Sequence, residues 1–264
     1  MSAQFEARWL ALRERADAAA RAPAVAAALT AHFAGAKAPL RVMDLGAGAG
    51  NNLRATAPLL PTPQDWRLVD SDAGLLQEAS RVVPDGVTAT PVIADLADGL
   101  GALLENGPVP DLVTASALFD LCSKAWIREF VAALAAASLP FHTVLSYDGR
   151  QDWQPPHPLD EAVLDAFHHD QRRDKGLGEA LGPDAHDALA AALRAEGYDV
   201  IEGTSDWVLE APADSALIGA LAAGTAAAVG PTLGPDASVW GAARSGASPV
   251  TIGHKDLVAF PPAR

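Results

Sequence analysis

At 264 residues, half of them hydrophobic, the chain is long enough to bury one full core, and residues 1–264 read as a single domain. Thirty-three Asp and Glu against 19 Lys and Arg leave a net charge of −14, which repels phosphate backbones and disfavours nucleic acid as a partner. One cysteine, Cys122, excludes an intramolecular disulfide and offers no metal-ligand cluster; no run approaches the roughly 20 apolar residues of a membrane span, and the charged N-terminus has no apolar signal core. The expectation is a cytoplasmic protein with no metal, membrane or nucleic-acid partner.

In chain order, Gln4–Ala34 reads as helix. Phe5, Trp9, Leu12, Val25, Leu29 and Phe33 recur at helical spacing, and Pro23 breaks the stretch in two. Arg13 and Asp17 stand four apart on one helix face, the spacing of an exposed ion pair. Arg41–Asn52 (RVMDLGAGAGNN) follows. Val42, Met43 and Leu45 form a short apolar run bounded by Pro39 and by glycines, as in a buried parallel strand. Asp44 sits inside it. Gly46, Gly48 and Gly50 then turn the chain, and Asn51–Leu59 reads as a short helix. Glycines here allow positive φ and let a ligand approach the backbone.

A dinucleotide site wants G-x-G-x-x-G, with its third glycine where this chain has Asn51. Asp44, Gly46, Gly48 and Gly50 instead spell D-x-G-x-G-x-G, which resembles motif I of the Rossmann-like (class I) S-adenosylmethionine-dependent methyltransferases. The resemblance implies an α/β fold: a doubly wound, seven-stranded, mostly parallel sheet. It also implies a helical N-terminal lid, here residues 1–38, and S-adenosylmethionine as cofactor, held at Asp44, Gly46, Ala47, Gly48 and Gly50. Such a lid gives Arg13 a second reading, as partner of the cofactor's methionine carboxylate.

Leu68 and Val69 end a second strand, closed by Asp70, 20 residues after Gly50. A carboxylate there offers two acceptors to a vicinal ribose diol, while Ser71 or Asp72 suits the cap of the next helix. Ser71 is also taken as a cofactor neighbour. A third strand, Val87–Ile93, leads to Asp95 and Leu96. The resemblance assigns these to the adenine amino group and ring face; a capping turn aspartate is the competing reading. Strand four, Leu112–Ala115, ends at Ser116, Ala117 and Leu118, beside the cleft where open α/β sheets bind ligands. Asp120 either faces the substrate or caps the helix that runs to Ala137. The segment SALFD lacks the [DN]-P-P-[FY] box that methyltransferases acting on amide or base nitrogens carry there.

Strand five is read as Phe141–Tyr147, with Asp148-Gly149-Arg150 as a turn. Residues 151–183 then form a cap insertion rich in proline at its start, with a helix over Leu159–Phe167. His168, His169, Arg172, Arg173 and Lys175 concentrate positive charge there. His168, Arg172 and Arg173, with Asp148, are candidates to hold an acidic substrate, against the alternative of a solvated loop neutralised by Asp170 and Asp174. Asp184–Glu196 reads as a helix stopped by Gly197. Tyr198–Leu209 and Val250–Phe260 read as closing strands, with 211–248 a helical excursion between them. His254 is a candidate base, with Asp120 and Tyr147 behind it; the other reading of His254 is a histidine satisfied by Asp256 or a backbone carbonyl.

The resemblance covers Leu40 to Tyr147 well and the remainder loosely. It implies methyl transfer to a small-molecule hydroxyl, carboxylate or amine by in-line displacement, with donor and acceptor aligned near about 3 Å and a base needed only if the acceptor must lose a proton early. Rival readings are a protein that binds S-adenosylmethionine without transferring methyl, a protein methyltransferase, and a nicotinamide-linked oxidoreductase. Oligomeric state and acceptor atom are not legible.

Overall fold

A computed structural model describes residues 7–263. The expected N-terminal helix is therefore seen from Ala7, and its start at Gln4, with Phe5, lies outside the described residues. Two helices, α1 (Ala7–Ala19) and α2 (Pro23–Phe33), flank the break that Pro23 makes.

Five parallel strands then alternate with helices. They are β1 (Leu40–Leu45), β2 (Gln64–Asp70), β3 (Val87–Ile93), β4 (Leu112–Ser116) and β5 (Phe141–Trp153). The helices between them are α3 (Asn51–Thr56), α4 (Ala73–Ala79), α5 (Gly99–Glu105) and α6 (Lys124–Ala137). After β5 come α7 (Asp160–Gln171), α8 (Ala185–Ala195), β6 (Asp199–Thr204), β7 (Trp207–Leu209), α9 (Ser215–Leu233), α10 (Pro235–Arg244) and β8 (Val250–Phe260).

The sheet order is β3-β2-β1-β4-β5-β8-β6, with β8 antiparallel to β5 and to β6. The order reverses between β1 and β4, the switch point of a doubly wound sheet. Seven strands are expected and eight form among the described residues. The segment Tyr198–Leu209 breaks at Ser205–Asp206, and β7 pairs the first half of β8 while β6 pairs the second. Helices α5, α6 and α8 bury Leu103, Phe130 and Leu189 on one face; α2, α3 and α4 bury Leu29, Leu53 and Leu76 on the other.

Two sequence expectations need correction. Asp148-Gly149-Arg150 is not the turn that ends strand five: β5 runs on to Trp153, because Gln151–Trp153 pair with Val250–Ile252 of β8 across register shifts. This extension carries a third core of Trp153, Trp207, Leu217 and Trp240, over which α7, α9 and α10 pack. Secondly, one helix among the described residues, Ser215–Leu233, is long and apolar enough to cross a membrane by length and composition. Its leucines, isoleucine and valine are spaced among alanines and glycines, so no long run of large apolar residues marks it. Leu217, Ile218, Ala222 and Val229 pack into the third core.

The two walls above the sheet meet at Asp256, which is 1% exposed. Its Oδ2 accepts the Ala22 N–H at 2.9 Å, and its Oδ1 accepts the N–H of Leu145 at 2.8 Å. Leu145 has φ +58°, at the irregularity where β5 begins to leave the main sheet. Replacing Asp256 with Ala leaves two buried N–H groups without an acceptor. Urea denaturation of Asp256→Ala should show a loss of about 3 kcal/mol; a loss under about 1 kcal/mol would contradict this anchoring.

Candidate functional site

A cavity of about 410 Å³ opens at the carboxyl ends of the parallel strands. Its floor is the turn after β1, Gly46–Ala49, where Gly46, Gly48 and Gly50 have φ of +64°, +52° and +84°. At Gly48 a Cβ would also stand 3.1 Å from Leu10, and at Gly50 3.1 Å from Ala79. Backbone conformation and space both demand glycine at these two positions.

Asp70, at the end of β2, lines the cavity. Its Oδ2 accepts the Gly48 N–H at 2.8 Å and its Oδ1 the Asp72 N–H at 2.9 Å, so it ties the glycine turn to the entry of α4. A carboxylate has lone pairs beyond these two. Asp72 caps α4, accepting from Gly74 and Leu75, and Ser71 borders the cavity between them. Asp95 accepts the Ala97 N–H at 2.9 Å, which makes it a capping aspartate; it also lines the cavity. Leu96 lines it too, its carbonyl held by the Trp126 indole at 2.8 Å. Ser116, Ala117 and Leu118 form the central wall.

Asp44 does not line the cavity. It is fully buried, and its Oδ1 accepts from Asn52 Nδ2 at 2.7 Å while its Oδ2 has no partner among the described residues. Asn52 reaches the cavity wall and also meets Thr114 at 3.2 Å and both η nitrogens of Arg21 at 3.2 Å. Thr114 continues to His142 at 3.2 Å. Burial pushes the Asp44 carboxyl up to about 7 and the His142 imidazole down to about 3.

The roof comes from α1 and from the loop after α7. Leu10, Arg13 and Asp17 face the cavity. Arg13 is not an exposed partner: its Nε bonds both oxygens of Asp17, at 3.0 and 2.9 Å, and its guanidinium lies 4.8 Å over the Trp207 ring. Both side chains of the pair are nearly buried. Among the described residues only Nε has a hydrogen-bond partner, so the η nitrogens are open to an anion. Lys175, Gly176 and Leu177 close the opposite side.

The candidate bases stand behind this wall, outside the cavity lining. His254 is 5% exposed, its ring 5.0 Å from Trp207 and 6.3 Å from Tyr147. Asp256 is committed to backbone N–H groups and does not satisfy it, but the backbone of Ile252 does bond the ring; the His254 Nδ1 has no hydrogen-bond partner among the described residues. Burial, with the Arg13 charge, lowers its pKa to about 3. Tyr147 bonds His168 at 3.1 Å and Gln151 at 3.0 Å, and burial raises its pKa. Asp120 does not cap α6: Ser123 does, accepting the Trp126 N–H at 3.2 Å. The Asp120 Oδ1 is buried without a partner among the described residues, and burial raises its pKa.

The expected substrate residues are engaged elsewhere. Asp148 holds Arg150 at 2.6–2.8 Å, Arg172 pairs with Asp184 at 2.9 Å, and Arg173 pairs with Asp170 at 3.0 Å. Neither arginine lines the cavity; of the two acids expected to neutralise the loop, Asp170 meets Arg173, while Asp174 accepts backbone N–H groups and Arg172 finds Asp184. A separate group, His186, Asp187 and Glu202, lies with its ligand atoms within 4.8 Å of one another. Its acids already meet Lys255 and Arg194.

A scan against protein-family models and a search of curated proteins each found no match. Among solved structures, the chain is similar to a cyclopropane-fatty-acyl-phospholipid synthase-like protein from Lactobacillus casei, at 16% identity and a TM-score of 0.51 over 98% of this chain and 96% of that one. It is similar also to two S-adenosylmethionine-dependent methyltransferases solved with S-adenosylhomocysteine. One is from Thiobacillus denitrificans (16% identity, 98% and 100% coverage, TM-score 0.48) and the other from Geobacter sulfurreducens (15%, 97% and 99%, TM-score 0.49). The chain and the Lactobacillus casei protein share one fold.

Within that Rossmann-like fold, sequence reasoning missed Leu10, Asn52 and Lys175–Leu177 as cavity residues. No short-range signal marks the first two, since they reach the site through the packing of α1 and α3. Lys175 was part of a visible basic cluster, but the residue that points inward could not be told from those that point out.

The buried Asp44 carboxyl has a consequence for stability. In the folded chain it keeps its proton up to about pH 7, whereas the unfolded carboxyl loses it near 3.8. The folded state thus binds more protons between these values, and this contribution to stability falls as pH rises through the window. Asp44→Asn should gain roughly 3 kcal/mol on the wild type between pH 4 and pH 7.5 in paired urea titrations. A pH-independent difference between the two proteins would contradict it.

Proposed function

We propose that the chain is a cytoplasmic, Rossmann-like S-adenosylmethionine-dependent methyltransferase with a small-molecule acceptor. The observation that carries this reading is the meeting of three features in one cavity: the glycine turn after β1, Asp70 at the end of β2 and Asp95 at the end of β3. The acceptor is a hydroxyl, carboxylate or amine.

The residues suit the cofactor. The glycine turn leaves room that a Cβ would fill, Asp70 takes the ribose hydroxyls, and Ser71 stands beside them. Asp95 accepts from the adenine amino group while Leu96 and Leu118 flank the ring. Arg13, oriented by Asp17 and Trp207, gives its η nitrogens to the methionine carboxylate. Asp44 acts through Asn52. Bound S-adenosylmethionine supplies an activated methyl for in-line displacement. The chain's part is to align the two reactants at the end of β4 and to exclude water beneath α1 and Lys175–Leu177. A buried histidine with a pKa near 3 is a weak proton acceptor at neutral pH, so His254 and Tyr147 serve to position Trp207 and the roof. A roofed cavity favours a small acceptor over a protein segment.

Isothermal titration with S-adenosylhomocysteine tests the cofactor. Wild type should bind in the micromolar range. Asp70→Ala, losing charge-assisted bonds to two hydroxyls, should bind about 10- to 100-fold more weakly. Wild-type protein that ignores S-adenosylhomocysteine but binds NADH would overturn the reading.

A further inference from the structure

The loop that follows α7 carries the one feature of the cavity that the cofactor does not use. Asp174 Oδ1 accepts the N–H groups of Gly176 and Gly178, at 2.8 and 3.1 Å, which curls the loop tightly. The loop is docked on the turn after β4: Ser123 N–H donates to Leu177 O at 3.2 Å, and Leu181 N–H donates to Cys122 O at 2.9 Å. Lys175 is therefore presented to the cavity by a braced segment beside the end of the central strand, where transfer would take place.

Its charge has one loose ion-pair partner, Asp170, among the described residues. Lys175 Nζ lies 3.6 Å from Asp170, beyond hydrogen-bond length, and Asp170 already bonds Arg173. Asp120 feels the charges of both Lys175 and Arg13, but burial drives its carboxyl toward the neutral form. In the proposed pose the cofactor offers Lys175 no anionic partner, since its sulfonium and ammonium groups are cationic and its single carboxylate is met by Arg13. An ammonium beside a sulfonium is repulsive unless an anion stands between them. Leu118, Leu121 and Leu177 give the same cavity an apolar part of its lining.

We propose that Lys175 anchors the methyl acceptor, and that the acceptor is a small molecule with an apolar body and a carboxylate that pairs with the Lys175 ammonium. One lysine among leucines suits a monoanionic carboxylate; a dianionic phosphate would want several donors. The proposal rests on the methyltransferase reading and names its substrate class.

Benzoate and its neutral isostere benzamide serve as probes. Each is titrated into the full chain, with and without saturating S-adenosylhomocysteine, in wild type and Lys175→Gln, and binding is read from the probes' NMR line widths. Wild type should prefer benzoate by at least about tenfold, a single ion-pair contribution, and Lys175→Gln should bind the two probes alike. The variant's affinity for S-adenosylhomocysteine should stay within about twofold of wild type, because the lysine does not touch it. Equal or absent binding of the probes by wild type would overturn the proposal, as would a benzoate preference that survives in Lys175→Gln. A loss of S-adenosylhomocysteine affinity in the variant would assign the lysine to the cofactor and overturn it too. Failure of wild type to bind S-adenosylhomocysteine would strike the methyltransferase reading instead, and the cofactor-free titrations would still judge Lys175.

Discussion

The Asp256 carboxylate, buried on the last strand, reaches two segments far apart in sequence and ties them to the sheet behind the cavity. One oxygen holds the start of α2 at Ala22 and the other holds β5 at Leu145. Arg21, next in line, carries its charge among Asp256, Asp17 and Asp44 and bonds Asn52 behind the glycine turn. A cation and three acids out of water are costly unless each is paired and hydrogen-bonded. The geometry that satisfies them leaves little choice in how α1 lies over the strand ends or how β5 bends away toward α7.

From that anchoring the electrostatics of the site follow. Asp17, Asp70, Asp72 and Asp95 surround the cavity with negative charge, matching a ligand with cationic groups, and most of their oxygens are engaged by the protein's own donors. The glycine turn is thus held open by Asp70 rather than left to collapse. Two cations, Arg13 and Lys175, line the cavity; among the described residues the Arg13 η nitrogens find no protein acceptor and Lys175 has only a loose ion pair with Asp170. Tyr147, His254 and Trp207 are buried behind the wall, outside the cavity lining.

The parts of the fold legible in the sequence were those with short-range signals. Val87–Ile93 matched its strand end to end, Gly197 follows the helix it was read to stop, and Gly46 and Gly48 of the glycine turn line one cavity with Asp70 and Asp95, whereas Asp44 and Gly50 stand outside its lining. Long-range pairing was not legible. Asp148-Gly149-Arg150 has the composition of a turn, yet β8 draws the chain onward as a strand. Asp44 looked like a ligand because the motif begins there, whereas burial and Asn52 make it a support. Arg172 and Lys175 are three residues apart in one basic cluster, and only the docking of the loop on Ser123 turns one outward and the other inward.

The central claim is that this cavity holds an adenosyl cofactor with its ribose at Asp70. A crystal structure of the chain grown with S-adenosylhomocysteine tests it most directly. The account predicts both ribose hydroxyls within about 3.2 Å of the Asp70 carboxylate, the adenine amino group at Asp95 and the methionine carboxylate against the Arg13 guanidinium. An adenosyl group bound elsewhere, or a ribose turned away from Asp70, would contradict it.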